Sequence, residues 1–354
     1  MASVDDIVRK ILYAPARLWL RRKPLSLPLN PSSIHKVLLM RTDAIGDMIV
    51  TTPMLTLLKE RLGATIDVVA SPHNAVVIAD DPRVRNTMVF DGSLKSLFAV
   101  RRRTRREKYD LVIALVLHKT TKGGLYANMW AGRHAVSATF AHKSRSDAYG
   151  TWFNAQVDID FNTTTMADMQ VQMLNQLFGW EVDANDLALK LYLPKTEATV
   201  WNGQPRIILN VSSGKAYRMW SAERNALCVE RLRVRFPGLH VKVIAFGKQV
   251  AMAQELVNRY SDCTELIPQQ ADVRYAIAAM QGADVVITPD TSMVHGAAAM
   301  GIPVVGMYSH KTYFLNQWMP HGVPYRALIA EGRDDIETIE PSLVVQAVAE
   351  VLGL

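Results

Sequence analysis

The feature that most constrains this chain is an alternation of short apolar runs with amphipathic segments, which occurs twice along its length. Apolar strands that alternate with helices predict βαβ units, in which a parallel sheet is covered by helices on both faces. We therefore predict an α/β fold with two halves. The strand-like runs of the first half are Lys36–Arg41, Ile66–Ala70, Thr87–Phe90 and Asp110–Leu117. Those of the second half are Arg206–Val211, His240–Phe246, Asp284–Thr288 and Pro303–Met307.

The length of 354 residues agrees with two domains, and the mixed segment 182–205 is the candidate boundary. We predict a basic amphipathic helix and linker at 1–33, an N-terminal Rossmann-like domain at 34–190 and a C-terminal Rossmann-like domain at 200–354. The last helix of the chain can pack back on the N-terminal domain. Ligands of open α/β sheets bind beyond the carboxyl ends of the strands, so a cleft between the two domains is the expected site.

Residues 4–23 have apolar positions at helical spacing, and residues 1–23 contain six basic and two acidic residues, a net charge of +4. Such a helix can lie in a membrane interface or dock on its own domain, and both interpretations remain open. A signal peptide is not expected, because Asp5 and Asp6 stand where positive charge should be. No apolar run in the sequence reaches the roughly 18 residues of a membrane-spanning helix.

Two cysteines, Cys228 and Cys263, exclude a disulfide scaffold and favour a reducing compartment. No Cys/His spacing indicates a zinc site. The segment Asp158-Ile159-Asp160 could hold a divalent cation, but its alternation fits a half-exposed strand better. We therefore expect no metal site.

The loop after the first strand contains the sharpest feature of the N-terminal half. Gly46 allows a tight turn, and Asp47 then falls in the first turn of a helix. A carboxylate here points across the carboxyl edge of the sheet, where it can act as a general base. The alternative is a helix cap, and carboxylates that accept the N–H bonds of a cap are weaker bases. Asp43 could take the capping role and leave Asp47 available.

The loop after Arg206–Val211 has the composition of an anion site. It carries Ser212, Ser213, Lys215 and Arg218, and hydroxyls and cations after a strand suit a phosphate. A polar loop that only leads into the next helix is the alternative.

The segment after Asp284–Thr288 has a similar character. Asp290, Thr291 and Ser292 open a helix, and His295 lies one turn further on the same face as Thr291. The first N–H groups of such a helix can bind a diphosphate without a metal ion. A capped core helix with a satisfied histidine is the alternative, but two such loops in one half favour the anion site.

A basic run at Arg101–Lys108 contains six basic residues and one acidic residue, a net charge of +5. Charge runs usually form a solvated face, but this one could meet a polyanion or an anionic membrane surface. It lacks interleaved aromatic residues, so no nucleic-acid partner is expected. Lys119 and Lys122 follow a strand and also border the expected cleft.

Together, these loops resemble the signatures of glycosyltransferase family 9, the ADP-heptose:lipopolysaccharide heptosyltransferases. The resemblance extends from about Lys36 to the C-terminus and rests on the order and spacing of its segments. The segments are Val37–Asp47 with Thr51-Thr52-Pro53, Asn210–Trp220 and Asp290–Val305.

The resemblance implies a GT-B fold, in which two Rossmann-like domains face each other across a cleft. It also implies transfer with inversion of the anomeric centre and without a metal ion, with Asp47 as the general base. Arg218 stands where the family usually has a lysine. The implied donor-binding residues are Ser212, Ser213, Lys215, Arg218, Asp290, Thr291, Ser292 and His295. The residues expected to bind the acceptor are Arg41, Lys119, Lys122, Arg101, Arg102 and Arg103.

The chain departs from the family pattern in three places. Ser292 stands where members often have glycine, and Lys248-Gln249 replaces a frequent acidic residue. The segment Gly306–Lys311 replaces the usual Gly-Pro-Thr-Asp stretch. These positions lie where the base and ribose should bind, so the identity of the donor stays open.

We therefore expect an inverting glycosyltransferase that moves heptose from ADP-heptose to the lipopolysaccharide inner core. The nucleotide sugar is a co-substrate, and no cofactor is expected. The acceptor is a lipid-linked anionic glycan, so the enzyme is expected in the cytoplasm, peripheral on the inner face of the inner membrane. The alternatives are another nucleotide sugar, a polysaccharide or protein acceptor, a sugar-nucleotide epimerase, and a non-catalytic binding protein.

Overall fold

The computed structural model describes residues 20–115, 121–141, 150–197, 199–269, 272–310, 315–332 and 335–354. Most of the helix expected at 4–23 therefore lies outside the described residues, as does Lys119, and the side chain of Lys122 is not described. The chain divides into two compact units. Unit 1 comprises Met1–Asp160 and Ala167–Asp186, and unit 2 comprises Phe161–Met166 and Leu187–Leu354.

Unit 1 contains a parallel sheet with strand order β3-β2-β1-β4-β5-β6. Its strands are β1 (Lys36–Arg41), β2 (Thr65–Ala70), β3 (Val84–Val89), β4 (Leu111–Ala114), β5 (Val136–Phe140) and β6 (Ala155–Val157). Its helices are α1 (Ile45–Ile49), α2 (Thr52–Leu62), α3 (Leu94–Glu107), α4 (Thr121–Ala131) and α5 (Met166–Phe178).

Unit 2 contains a second parallel sheet, with strand order β12-β11-β10-β7-β8-β9. Its strands are β7 (Arg206–Asn210), β8 (His240–Ile244), β9 (Thr264–Leu266), β10 (Val285–Pro289), β11 (Val304–Tyr308) and β12 (Tyr325–Ile329). Its helices are α6 (Ala222–Arg235), α7 (Gln249–Arg259), α8 (Val273–Ala278), α9 (Ser292–Ala299) and α10 (Pro341–Leu352).

The two sheets have the same topology. In each, the first strand lies centrally, the next two strands extend to one side, and the fourth strand returns to the other side of the first. The order in which strands are added to the sheet reverses there, which creates a topological switch point. It lies between β1 and β4 in unit 1 and between β7 and β10 in unit 2. This confirms the predicted class of two Rossmann-like α/β sheets.

The central strands are apolar on both faces because helices cover both faces of a parallel sheet. Val37, Leu38 and Leu39 of β1 are fully buried. Short polar side chains fix the starts of two long helices. Ser93 accepts a hydrogen bond from the Ser96 N–H at the start of α3, and Ser221 accepts one from the Arg224 N–H at the start of α6.

The last helix, α10, belongs to unit 2. It packs against α6 and against β10, β11 and β12, and Val344 and Val348 are part of the buried core of this unit. From the sequence, packing of this helix on the N-terminal domain was also possible. Hydrophobic periodicity shows which face of a helix is apolar, but it does not show which sheet covers that face.

A buried carboxylate stabilises unit 1 away from the switch point. Asp67 of β2 accepts hydrogen bonds from Arg85 Nε (3.0 Å), the Tyr109 hydroxyl (2.6 Å) and Asn86 Nδ2 (3.2 Å). Burial raises the pKa of Asp67, but the hydrogen bonds from Arg85, Tyr109 and Asn86 outweigh burial and hold this pKa below its ordinary value. Asp67 therefore stabilises the fold above the unfolded-state carboxyl pKa of about 4, and this contribution is lost as pH falls through the native pKa.

We expect Tyr109→Phe to lower the free energy of unfolding by about 1–2 kcal/mol at pH 7, because Asp67 loses a donor. The difference from wild type should shrink as pH falls below the unfolded-state carboxyl pKa of about 4 and then through the lower native pKa of Asp67. Urea unfolding at pH 7 and at acidic pH measures both effects. The matched control is Tyr260→Phe, because the buried Tyr260 hydroxyl has no hydrogen-bond partner within the described part of the chain. An equal loss in both variants would show that only packing was changed.

Candidate active site

Asp47 lies in α1, directly beyond the carboxyl end of β1, and its side chain is only 10% exposed. Its Oδ1 accepts a hydrogen bond from Arg41 Nη2 at 2.6 Å, and its Oδ2 accepts one from the Ala44 backbone N–H at 2.9 Å. Asp47 therefore takes the capping interaction that the sequence also allowed for Asp43. The Asp43 carboxylate instead lies 3.4 Å from Arg41 Nη1.

Arg41, the last residue of β1, is completely buried. Besides its bond to the Asp47 carboxylate, it donates from Nε to the Asp47 carbonyl (3.2 Å) and from Nη1 to the Leu115 carbonyl (3.0 Å). Leu115 follows β4, so Arg41 spans the switch point of the first sheet. Its burial and its contacts fit a role in holding Asp47. The predicted contact of Arg41 with an acceptor stays a prediction.

Further hydrogen bonds hold the loop that carries Asp47. Thr51 Oγ1 donates to the Asp47 carbonyl at 2.7 Å. The buried Asn74 donates from Nδ2 to the carbonyls of Arg41 (3.0 Å) and Asp43 (3.2 Å). Asn74 was not among the predicted site residues, because a single asparagine after a strand carries no distinctive pattern.

In unit 2, polar residues meet at the switch point between β7 and β10. Asn210, the last residue of β7, donates from Nδ2 to Thr288 Oγ1 at 2.9 Å and to Thr291 Oγ1 at 3.2 Å. Its Oδ1 accepts a hydrogen bond from the Ser212 N–H at 3.1 Å. Asn210 thus links the two loops that the sequence identified separately. The sequence signal that could have identified Asn210 is an amide side chain at the end of an apolar strand.

Arg218 and Asp290, two of the predicted donor-binding residues, form an ion pair at this edge. Arg218 Nη1 lies 3.0 Å from Asp290 Oδ2 and donates to the Asp290 carbonyl at 3.0 Å. The guanidinium also lies over the ring of Tyr217, 5.5 Å from its centroid. The Arg218 Nε–H is buried and has no acceptor among the residues that the structure describes.

The other predicted donor-binding residues differ in their accessibility. Ser212 is buried, and its Oγ accepts a hydrogen bond from the Phe246 N–H at 2.8 Å. Ser213 is half-buried and Lys215 is exposed on the same loop. Thr291 caps α9 by accepting a hydrogen bond from the Met293 N–H.

Within α9, Ser292 is half-buried and His295 is buried. The His295 ring lies 6.2 Å from the ring of Trp318. This environment also fits the packed core histidine that the sequence left as an alternative.

The first three residues of the segment Gly306–Lys311 are the last three residues of β11, which pairs with β10. The fully buried Tyr308 lies over Gly306, where an added Cβ would come within 2.6 Å of the tyrosine ring. Gly306 is thus required by Tyr308. Burial and the nearby Asp290 raise the pKa of Tyr308, so its hydroxyl stays protonated at neutral pH.

The predicted acceptor residues Arg101, Arg102 and Arg103 lie in the C-terminal half of α3. This helix runs back from the carboxyl edge of the sheet so that its last residue, Glu107, contacts Lys36 at the start of β1. Asp47 follows the opposite end of this strand, whereas Arg103 Nη2 donates to Oδ1 of Asn86, near the amino end of β3, at 2.9 Å. Charge counting could not reveal this, because it ignores the direction of the helix. A contact of these arginines with an acceptor stays a prediction.

Across the described part of the chain, no three His, Cys, Asp or Glu side chains form a group that could hold a metal ion.

The family model described as glycosyltransferase family 9 (heptosyltransferase) matches residues 97–324, more than half of the chain. The chain belongs to glycosyltransferase family 9. The matched region includes both loops at the switch point of unit 2, whereas Asp47 precedes it. The predicted family is confirmed, and the chain is a glycosyltransferase.

Solved structures of this family share the fold. A glycosyltransferase family 9 protein from Veillonella parvula DSM 2008 is 19% identical with a TM-score of 0.73, over 93% of this chain and 99% of that one. The E. coli heptosyltransferase WaaC, in complexes with ADP and with ADP-2-deoxy-2-fluoro heptose, is 17% identical over 89% of this chain and 99% of that one, with TM-scores of 0.71 and 0.70. E. coli ADP-heptose lps heptosyltransferase II is 16% identical over 90% of this chain and 98% of that one, with a TM-score of 0.68.

These matches support the predicted GT-B class of fold. A comparison with curated protein sequences gave no match.

Proposed function

We propose that this family 9 enzyme transfers heptose from ADP-heptose to the lipopolysaccharide inner core, with inversion and without a metal ion. The observation that carries the proposal is the Asp47 carboxylate, held by the buried Arg41 at the switch point of unit 1. A base fixed at the carboxyl edge of the sheet stands where α/β proteins bind their ligands.

Asp47 retains the capacity to accept a proton. Each carboxylate oxygen offers about two lone-pair sites, and the hydrogen bonds described above from Arg41 and the Ala44 N–H use one on each oxygen. The acceptor hydroxyl donates its proton to Asp47 as its oxygen forms a bond to the anomeric carbon. The bond from that carbon to the diphosphate oxygen breaks on the opposite face, which inverts the centre and releases ADP.

The donor is proposed to bind at the switch point of unit 2. Negative charge grows on the diphosphate as it leaves, and the Arg218 guanidinium with the N–H groups at the start of α9 would stabilise that charge. The Arg218 Nε–H without an acceptor supports this role, because a buried donor gains free energy when an anion supplies one. The similar E. coli fold that holds ADP supports a nucleoside diphosphate here.

The acceptor is proposed to be a lipid-linked anionic glycan at the inner face of the inner membrane. No helix in the described ranges combines the length and the apolar character needed to span a bilayer. The basic surface of α3 supports a peripheral contact with anionic lipid or glycan.

We expect ADP release only when ADP-heptose and a heptose-deficient, Kdo-containing lipid A are both present. The release should be unchanged by EDTA, because protein groups carry the charge of the leaving diphosphate. A coupled assay for ADP, with and without EDTA, measures this. Release with the donor alone would indicate hydrolysis.

Other results would separate the alternatives. No release together with calorimetric binding of ADP-heptose would indicate a different acceptor. No release and no binding would contradict the proposed donor, and UDP-, GDP- and dTDP-sugars would then be compared. Loss of release in EDTA would contradict the proposed mechanism.

A further inference from the structure

Helix α3 presents an apolar and basic face to solvent. Leu94 and Phe98, one turn apart, are 72% and 55% exposed, whereas Leu97 and Val100 are buried against the sheet. At about 100° per residue, Arg102 and Arg105 project from the same arc of the helix as Leu94 and Phe98. The exposed face is therefore apolar at its N-terminal end and cationic toward its C-terminal end.

Among the described residues of unit 1, no carboxylate forms an ion pair with the arginines of this face. The 14 residues of α3 contain six basic residues and one acidic residue, Glu107. The Glu107 carboxylate accepts a hydrogen bond from Arg85 Nη2 at 2.6 Å and lies 3.5 Å from Lys36 Nζ. Because these two cations neutralise Glu107, the arginines of α3 keep their full positive charge for an external partner.

Leu20 and Arg22, among the first residues that the structure describes, contact unit 1 close to this helix. Leu20 packs on the hydrophobic cluster that contains Leu97 and Val100 of α3. Arg22 donates from Nε to Asn128 Oδ1 at 2.7 Å and from Nη2 to the Gly132 carbonyl at 2.5 Å, at the end of α4. Since α4 packs against α3, these hydrogen bonds hold Arg22 close to the basic helix.

We propose that the outward face of α3 docks the enzyme on an anionic phospholipid bilayer. This inference rests on the proposed membrane-bound acceptor and names the surface that meets the membrane. Leu94 and Phe98 enter the boundary between headgroups and acyl chains, while Arg102, Arg105 and Arg106 bind lipid phosphates. A surplus of arginines beside two exposed apolar side chains suits this partner, because arginine binds phosphate groups through charge-assisted hydrogen bonds and the surface of an anionic bilayer presents many of them.

Docking through α3 leaves the catalytic edge available. The arginines lie toward the amino edge of the first sheet, and Asp47 follows its carboxyl edge. The bilayer can therefore hold unit 1 while the acceptor glycan approaches Asp47 from elsewhere.

The test measures co-sedimentation of the full chain with vesicles, without donor or acceptor, so that it is independent of transfer activity. Wild type should bind phosphatidylglycerol-containing vesicles, bind phosphatidylcholine vesicles far more weakly, and lose affinity as salt rises. We expect Leu94→Ser/Phe98→Ser to weaken binding at least about 10-fold. Arg105→Gln/Arg106→Gln should weaken it by about 10-fold or more.

Matched controls come from exposed helices of unit 2. Val234→Ser/Leu343→Ser removes two exposed apolar side chains, and Arg231→Gln/Arg235→Gln removes two exposed charges on α6. Both should bind vesicles like wild type. Wild-type binding by the α3 variants, equal losses in the controls, or binding that requires the glycolipid acceptor would each overturn the proposal. Unchanged thermal unfolding of each variant ensures that a loss reflects the surface.

Discussion

Replacing Asp47 with asparagine should lower kcat for heptosyl transfer by about 10²–10⁴-fold, the usual contribution of a general base. Asparagine keeps an acceptor oxygen for Arg41 or for the Ala44 N–H, but it cannot take a proton from the acceptor hydroxyl. The Kd for ADP-heptose should stay within about twofold, because the donor is proposed to bind unit 2. Initial rates of ADP release and calorimetry measure the two quantities.

Two variants make this prediction specific. Asp43→Asn removes a neighbouring carboxylate near the same arginine, and it should reduce kcat far less. Arg218→Gln should instead act mainly on donor binding. Loss of a charge-assisted contact should raise the Kd for ADP-heptose at least about 10-fold. Wild-type turnover in Asp47→Asn, or an equal loss in Asp43→Asn, would refute the assignment of Asp47 as the base.

Replacing Arg41 with glutamine should lower the free energy of unfolding by about 3–5 kcal/mol, the usual effect of removing one partner of a buried ion pair. The Leu115 carbonyl and the nearly buried Asp47 carboxylate would both lose donors. Turnover should fall as well, because Asp47 would no longer be fixed. Urea unfolding and initial rates, compared in the same preparation, measure both effects.

The control is Arg326→Gln, which breaks an exposed arginine–carboxylate pair with Glu350 at 2.7 Å. It should leave the free energy of unfolding close to that of wild type, because solvent screens exposed pairs. If Arg41 acts through Asp47, the double variant of both residues should lose little more turnover than Asp47→Asn alone. Additive losses would instead assign Arg41 an independent role.

The sequence predicted the parts of the fold that are most apolar. The central strands β1, β7, β10 and β11 were found within one residue at each end, because both of their faces are buried. The loops that carry Asp47, Arg218 and Asp290 follow these strands directly, and were therefore located as well. The roles of all the predicted donor-binding and acceptor-binding residues, and of Asp47 as the base, remain predictions.

Other elements gave no comparable signal. Strand β12 is an edge strand with exposed residues, and β5 (Val136–Phe140) mixes polar with apolar residues. Helix α3 was recognised only as a charge run, since its apolar residues are divided between a buried face and an exposed one. The helix predicted to begin near Asp47 ends at Ile49, and a separate helix, α2, begins at Thr52, just before Pro53.

Asn210 has a thermodynamic consequence for binding at the second switch point. Its amide fixes the two neighbouring loops to each other through Ser212 and Thr291 before any ligand arrives. The conformational entropy of ordering these loops is therefore lost during folding rather than during association. A nucleotide sugar that binds there meets a rigid receptor, and its affinity should respond to changes in its own contacts far more than to changes in loop flexibility.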